Sequence, residues 1–77
     1  MAGRKLTRVE KQMRKTIAAN IQWMLDSHDV TVQHLCTKAN VSKSQLFNVL
    51  NGSSSPSIDL VSRVARAFGV EPYMLLE

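Results

Sequence analysis

A short polar residue able to cap a helix stands ahead of four apolar-periodic stretches in this 77-residue chain. That punctuation constrains the fold more than any other feature. Thr7-Arg8-Val9-Glu10 and Ser42-Lys43-Ser44-Gln45 both read as capping boxes. In each, the hydroxyl accepts from the amide three residues on, and that residue's side chain reaches back to the cap's own amide. Thr31 and Ser57 occupy the same place before two further stretches. Val30-Thr31-Val32 alternates like a strand, but no second candidate strand exists for it to pair with, so Thr31 is read as a cap. The expectation is an all-α, compact bundle of about five helices.

In the first helix Val9, Met13, Ile17, Ile21 and Met24 recur at intervals of four, four, four and three, which lines up one apolar stripe for the core. Arg8, Lys11 and Lys15 fall on its opposite face. Trp23 is offset from the stripe and is expected at the edge of the core. Leu35, Cys36 and Ala39 form the apolar side of a two-turn second helix ending at Asn40, a residue that tolerates the left-handed conformation. Leu46, Val49 and Leu50 do the same for a third helix closed by Asn51-Gly52, with Gly52 just past its end. A fourth helix carries Ile58, Leu60, Val61, Val64, Ala65 and Phe68 and stops at Gly69. Pro72 then sits where a helix tolerates proline, so Tyr73 to Leu76 are expected to form a fifth helical turn that closes the core, supplies a dimer interface, or does both.

Several function classes are disfavoured. A chain this short buries only about 60% of the surface its unfolded form exposes, which leaves little room for an enzyme's pocket and makes a partner subunit useful. No Gly-rich phosphate loop, Ser/His/Asp set or carboxylate pair occurs, so neither catalysis nor a cofactor nor a small-molecule ligand is expected. His28 and His34 have no cysteine or carboxylate at ligand spacing, which argues against a metal. Cys36 is the single cysteine and no internal disulfide can form, a usage that suits a reducing cytoplasm; its position is that of a small core residue. No apolar run approaches the roughly 18 residues of a membrane span.

The net charge of +4 is unevenly spread. Residues 1–20 hold Arg4, Lys5, Arg8, Lys11, Arg14 and Lys15 against Glu10 alone, whereas the remainder is nearly neutral. A basic end on a neutral body points to a polyanion. Residues 1–6 read as a flexible basic arm and residues 7–77 as one folded domain. A membrane surface is the weaker polyanion, because lipid would have to take the same apolar stripe of the first helix that the core needs.

From Thr31 to Gly52 the order is a capped short helix, a small residue at Cys36, a turn residue at Asn40, a hydrophobe at Leu46, then Asn51-Gly52. That spacing resembles the helix-turn-helix of the phage repressor and Cro family, in which the small residue lets two helices cross closely. Pro56-Ser57 before an aliphatic helix, Ala67-Phe68-Gly69-Val70 and the closing Leu75-Leu76 resemble that family's fourth and fifth helices. Leu6-Thr7 after a basic pair resembles the start of the lambda repressor-like DNA-binding domain. The sequence departs from the pattern at two positions: Asn40 stands where Gly is usual, and Val32 stands where a phosphate-contacting Gln is frequent, with Gln33 its neighbour.

The resemblance implies that the third helix lies in the major groove of double-stranded DNA. At about 100° per residue its outward face holds Lys43, Ser44, Phe47, Asn48 and Asn51. Lys43 suits guanine O6 and N7, Asn48 suits adenine N6 and N7, and Phe47 suits a thymine methyl; Ser44 completes the base-reading set. Phe47 is read equally well as a side chain tucked back against Leu50 or a neighbouring helix. Gln45 is assigned to its capping box. Gln33, Asn51 and the arm residues Arg4 and Lys5 are expected on phosphates, which fix register without reading sequence. The leading expectation is a sequence-specific transcriptional regulator, a repressor or Cro-like protein, bound as a homodimer to a palindromic operator. The alternative is a protein-interaction module such as an antitoxin or antirepressor, in which Phe47 would enter a protein groove.

Overall fold

The computed structural model describes residues 7–77; the arm assigned to residues 1–6, with Arg4 and Lys5, lies outside them. Four α-helices follow in order: α1 (Arg8–Ser27), α2 (Val32–Ala39), α3 (Lys43–Leu50) and α4 (Ile58–Phe68). The fifth segment, Pro72–Leu75, is a single 3-10 turn rather than an α-helix. The expectation of about five helices is therefore corrected to four and a turn. Pro72 opens that turn and the Leu76 amide closes it on the Tyr73 carbonyl.

Every α-helix begins on the residue that the capping pattern selects. Glu10 N donates to Thr7 Oγ1 at 3.1 Å and Thr7 N to Glu10 Oε1 at 2.9 Å. The second box is also closed on both sides, between Ser42 and Gln45. Thr31 accepts from His34 N and Ser57 from Leu60 N. The helix ends repeat one device as well. Asp29, Asn40, Gly52 and Gly69 all have left-handed backbones, with φ of 54°, 58°, 80° and 73°. After each, the next amide turns back across the last helical turn: Val30 to Leu25, Val41 to Cys36, Ser53 to Asn48 and Val70 to Ala65. Three of those residues are valines that pack against the core, so three of the four chain reversals are pinned by an apolar side chain.

The core is drawn from all four helices and the 3-10 turn. Ile21, Leu35, Leu46, Val64 and Leu75 are fully enclosed. α1 packs against α3 and the terminal turn, α2 against α3 and α4, and α4 against the terminal turn. Of the terminal turn expected to close the core, supply a dimer interface or do both, Leu75 closes the core, while Tyr73, Met74 and Leu76 are exposed. Asn20 on α1 holds the same turn by donating to the Leu75 and Glu77 carbonyls at 2.8 and 3.3 Å.

The apolar stripe of α1 is covered over only part of its length. Ile17, Ile21 and Met24 are buried and Leu25 joins them, but Val9 and Met13 are exposed. α1 has 20 residues, about 30 Å, while α2 and α3 have eight each, about 12 Å, so the short helices cannot reach the start of the long one. Ile58, at the first position of α4, is also outside the core, and Trp23 is 65% exposed rather than at the core's edge.

Candidate nucleic-acid interface

α2 and α3 are two-turn helices joined by Asn40-Val41-Ser42. Asn40 takes up the left-handed conformation that reverses the chain, with φ 58° and ψ 50°. Cys36, a small side chain, is buried on the inner side of α2, and Leu46 is its fully buried counterpart on α3. Burial pushes the Cys36 thiol above its ordinary pKa, and the nearby Lys43 ammonium partly opposes that shift.

The two faces of α3 separate as its periodicity requires. Leu46 and Val49 are buried and Leu50 is half-buried, while Lys43, Ser44, Phe47, Asn48 and Asn51 are all exposed. Phe47 keeps 47% of its surface in solvent. Gln45 is committed to the Ser42 amide at 3.2 Å. Asn51 accepts from Ser53 N through Oδ1 at 2.9 Å, which fixes the carboxamide with its NH2 group as the remaining donor. On α2, Val32 packs against the core while Gln33, one residue further into the first turn, is exposed. The apolar residue at the family's frequent Gln position thus serves packing, and the polar side chain is displaced by one.

The helix N-termini differ in charge. α1 carries Glu10 and α4 carries Asp59 in the first turn, whereas α2 and α3 have no acidic residue there. The positive dipole ends of α2 and α3 therefore face no acidic side chain of their own first turn, although the His34 and Gln45 amides are capped, and Lys43 adds a cation at one of them. Such ends favour an anion, phosphate above all.

Two arginines brace this unit, and neither has a structural role that its sequence neighbourhood reveals. Arg63 on α4 donates through Nη1 to the Asn40 carbonyl at 2.8 Å, holding the turn between α2 and α3. Arg14 on α1 donates to Ser55 Oγ at 2.9 Å and to the Gly52 carbonyl at 3.2 Å, holding the loop after α3. Their partners lie 23 to 41 residues away, beyond the reach of any local pattern. Arg8, Lys11 and Lys15 are exposed along α1. Elsewhere, His28 packs its ring against Phe68 at 5.3 Å between centroids.

A short helix, a left-handed turn and a second helix with a polar outward face define a helix-turn-helix unit. A helix-turn-helix family model matches residues 21–75, and the chain belongs to that family, of the Cro/C1 type. The family is one of DNA-binding transcriptional regulators. No protein of curated function matches the chain in sequence. Two solved structures share the fold. One is a hypothetical transcription factor, NHTF, from Neisseria, with TM-score 0.81 and 18% identity over 100% of this chain and 87% of that one. The other is the clp gene regulator ClgR from Corynebacterium glutamicum, with TM-score 0.77 and 24% identity over 87% of this chain and 71% of that one. Among the described residues no helix is long and apolar enough to cross a membrane.

Proposed function

We propose that this protein is a sequence-specific transcriptional regulator that binds double-stranded DNA as a homodimer on a palindromic operator, in the manner of a repressor or Cro-like switch. The observation that carries this reading is the outward face of α3, where Lys43, Ser44, Phe47 and Asn48 are exposed together above a buried inner face. In a major groove Lys43 donates to guanine O6 and N7, Asn48 pairs with adenine N6 and N7, Phe47 lies on a thymine methyl, and Ser44 bonds either kind of edge. Gln33 and Asn51 hold the phosphates that bound the groove, assisted by the positive dipole ends of α2 and α3. Arg4 and Lys5 follow the backbone beyond the body. Two-fold pairing on one face of a duplex would set the reading helices about one turn, roughly 34 Å, apart.

The test is selection of bound duplexes from a random pool, followed by affinity measurements on single-base variants of the recovered site. An inverted repeat is expected. Lys43→Ala and Asn48→Ala should each lose roughly 1 to 3 kcal/mol at particular base pairs and relax preference there, while Asn51→Ala should weaken all sequences alike. Recovery of no site, with a protein partner captured through Phe47 instead, would establish the interaction-module alternative. An unchanged ranking of site variants in Lys43→Ala and Asn48→Ala would remove α3 from the reading role.

A further inference from the structure

After residue 20 the chain has four cations, Lys38, Lys43, Arg63 and Arg66, set among five acidic side chains. Three of the four converge. Lys38 from the last turn of α2, with Arg63 and Arg66 from α4, lines one open hollow of about 440 Å³ whose other walls are Ala39, Asn40 and Ala67. No carboxylate lines it, and among the described residues none of the three cations forms an ion pair. Asp59 and Glu71 stand in neighbouring depressions beside Arg63 and Arg66 without pairing with them. A cation in the last turn of a helix complements the dipole, which accounts for Lys38 and Arg66 separately. It does not account for Arg63, nor for bringing together three like charges that repel one another. Arg63 is held in place as well. Its Nη1 donates to the Asn40 carbonyl at 2.8 Å, which leaves the rest of the guanidinium fork free among the described residues.

A second hollow adjoins the first. Val30, Leu35 and Phe68 wall a space of about 110 Å³, room for a single side chain, that shares Lys38 and Ala67 with the cationic hollow and is bordered by His28 and His34. No carboxylate lines this space either.

We propose that the paired hollows dock an acidic segment of another protein, with its carboxylates on Lys38, Arg63 and Arg66 and one apolar side chain seated between Val30, Leu35 and Phe68. Guanidinium forks match carboxylates in plane and with two bonds, and Arg63 offers its fork already oriented. Ala39 is buried and Ala67 half-buried, so the floor between the cations is low enough for an extended chain to lie on it. A nucleic-acid backbone would match the cations alone, because it has no side chain for the apolar hollow. The surface is also separate from the outward face of α3: none of Lys43, Ser44, Phe47, Asn48 and Asn51 lines either space. Docking here does not compete for the residues proposed to read bases, so a partner can be carried by the DNA-bound protein.

The test titrates a fluorescein-labelled peptide, one leucine flanked on each side by two aspartates, onto the full 77-residue chain at low ionic strength, where exposed pairs are least screened. Anisotropy gives the affinity and 15N amide shifts give the place. Shifts are expected at Lys38, Arg63, Ala67 and Phe68. Lys38→Gln combined with Arg66→Gln should weaken the peptide roughly ten-fold, and replacing the peptide's leucine by serine should weaken it by about as much. Lys11→Gln combined with Lys15→Gln changes the net charge equally and should leave peptide binding unaltered. Both cations of the hollow are exposed, so the native helix content should persist in circular dichroism; if the double variant unfolds, Lys38→Gln alone decides, with a loss of roughly three-fold. No binding, equal loss in the two double variants, or indifference to the leucine overturns the proposal. The same amide shifts on adding a short duplex of unrelated sequence in place of the peptide would assign the hollow to nucleic acid and overturn it too.

Discussion

Asn40 makes the turn of the helix-turn-helix with a side chain where Gly would be unstrained. Asparagine is among the few residues that visit the left-handed region at modest cost, and its β-branched or bulky replacements are not. Asn40→Gly is expected to raise stability by up to about 1 kcal/mol, and Asn40→Val to lower it by about 1 to 2 kcal/mol, read as shifts of the urea midpoint. The Arg63 bond is to the backbone carbonyl and survives either change. Cys36 gives a second expectation at this scale. Because burial raises its pKa, the native thiol binds its proton more tightly than the unfolded one does. Its contribution to stability is then present below the unfolded pKa and lost as pH rises through the folded one. A thiol reagent should accordingly label the native protein slowly near neutral pH and the denatured protein quickly. Equal rates would show that Cys36 is accessible. The small-core role of Cys36 was readable from its place in the motif; its interaction with Lys43 was not, because it depends on how α2 and α3 cross.

At the scale of single helices, the caps carry most of the agreement between sequence and structure. Thr7, Thr31, Ser42 and Ser57 each cap the helix assigned to them because hydroxyl capping involves only the next three residues. The stops are equally local at Asn40, Gly52 and Gly69. Asp29 was the one missed: Ser27-His28-Asp29 showed the apolar pattern fading but did not single out which residue turns left-handed, and the following Val30 was the available signal. Ser42→Ala removes the hydroxyl that accepts from Gln45 N, and should cost about 1 kcal/mol of stability with some loss of DNA affinity, since Lys43 and Ser44 ride on the turn it fixes. Parallel thermal melts and duplex titrations check this. Full affinity with reduced stability would mean that DNA itself orders the first turn of α3.

For the molecule as a whole, the charge asymmetry sets how binding responds to salt. Each phosphate neutralised contributes a slope of about 0.9 in log affinity against log salt. Deleting residues 1–5 removes Arg4 and Lys5 and should flatten the slope by about two per monomer if both engage, with the half-site sequence nearly unchanged. An unaltered slope would show that the arm makes no phosphate contact, leaving Arg8, Lys11 and Lys15 on α1 as the cations to test next.

By itself the sequence determined what depends on near neighbours in the chain: where four helices start, where three of them stop, which face of α3 turns outward, and that Thr31 to Gly52 form a helix-turn-helix. Capping, backbone chirality and helical periodicity all act within a few residues, so they leave a local record. Tertiary structure alone decided which apolar residues are covered. Val9 and Met13 have the same periodic spacing as Ile17, and differ in whether another element lies across them, while Ile58 stays exposed three residues before the buried Val61. The braces from Arg14 and Arg63 belong to the same class, since an arginine's partner 23 to 41 residues away leaves no mark on its sequence neighbourhood.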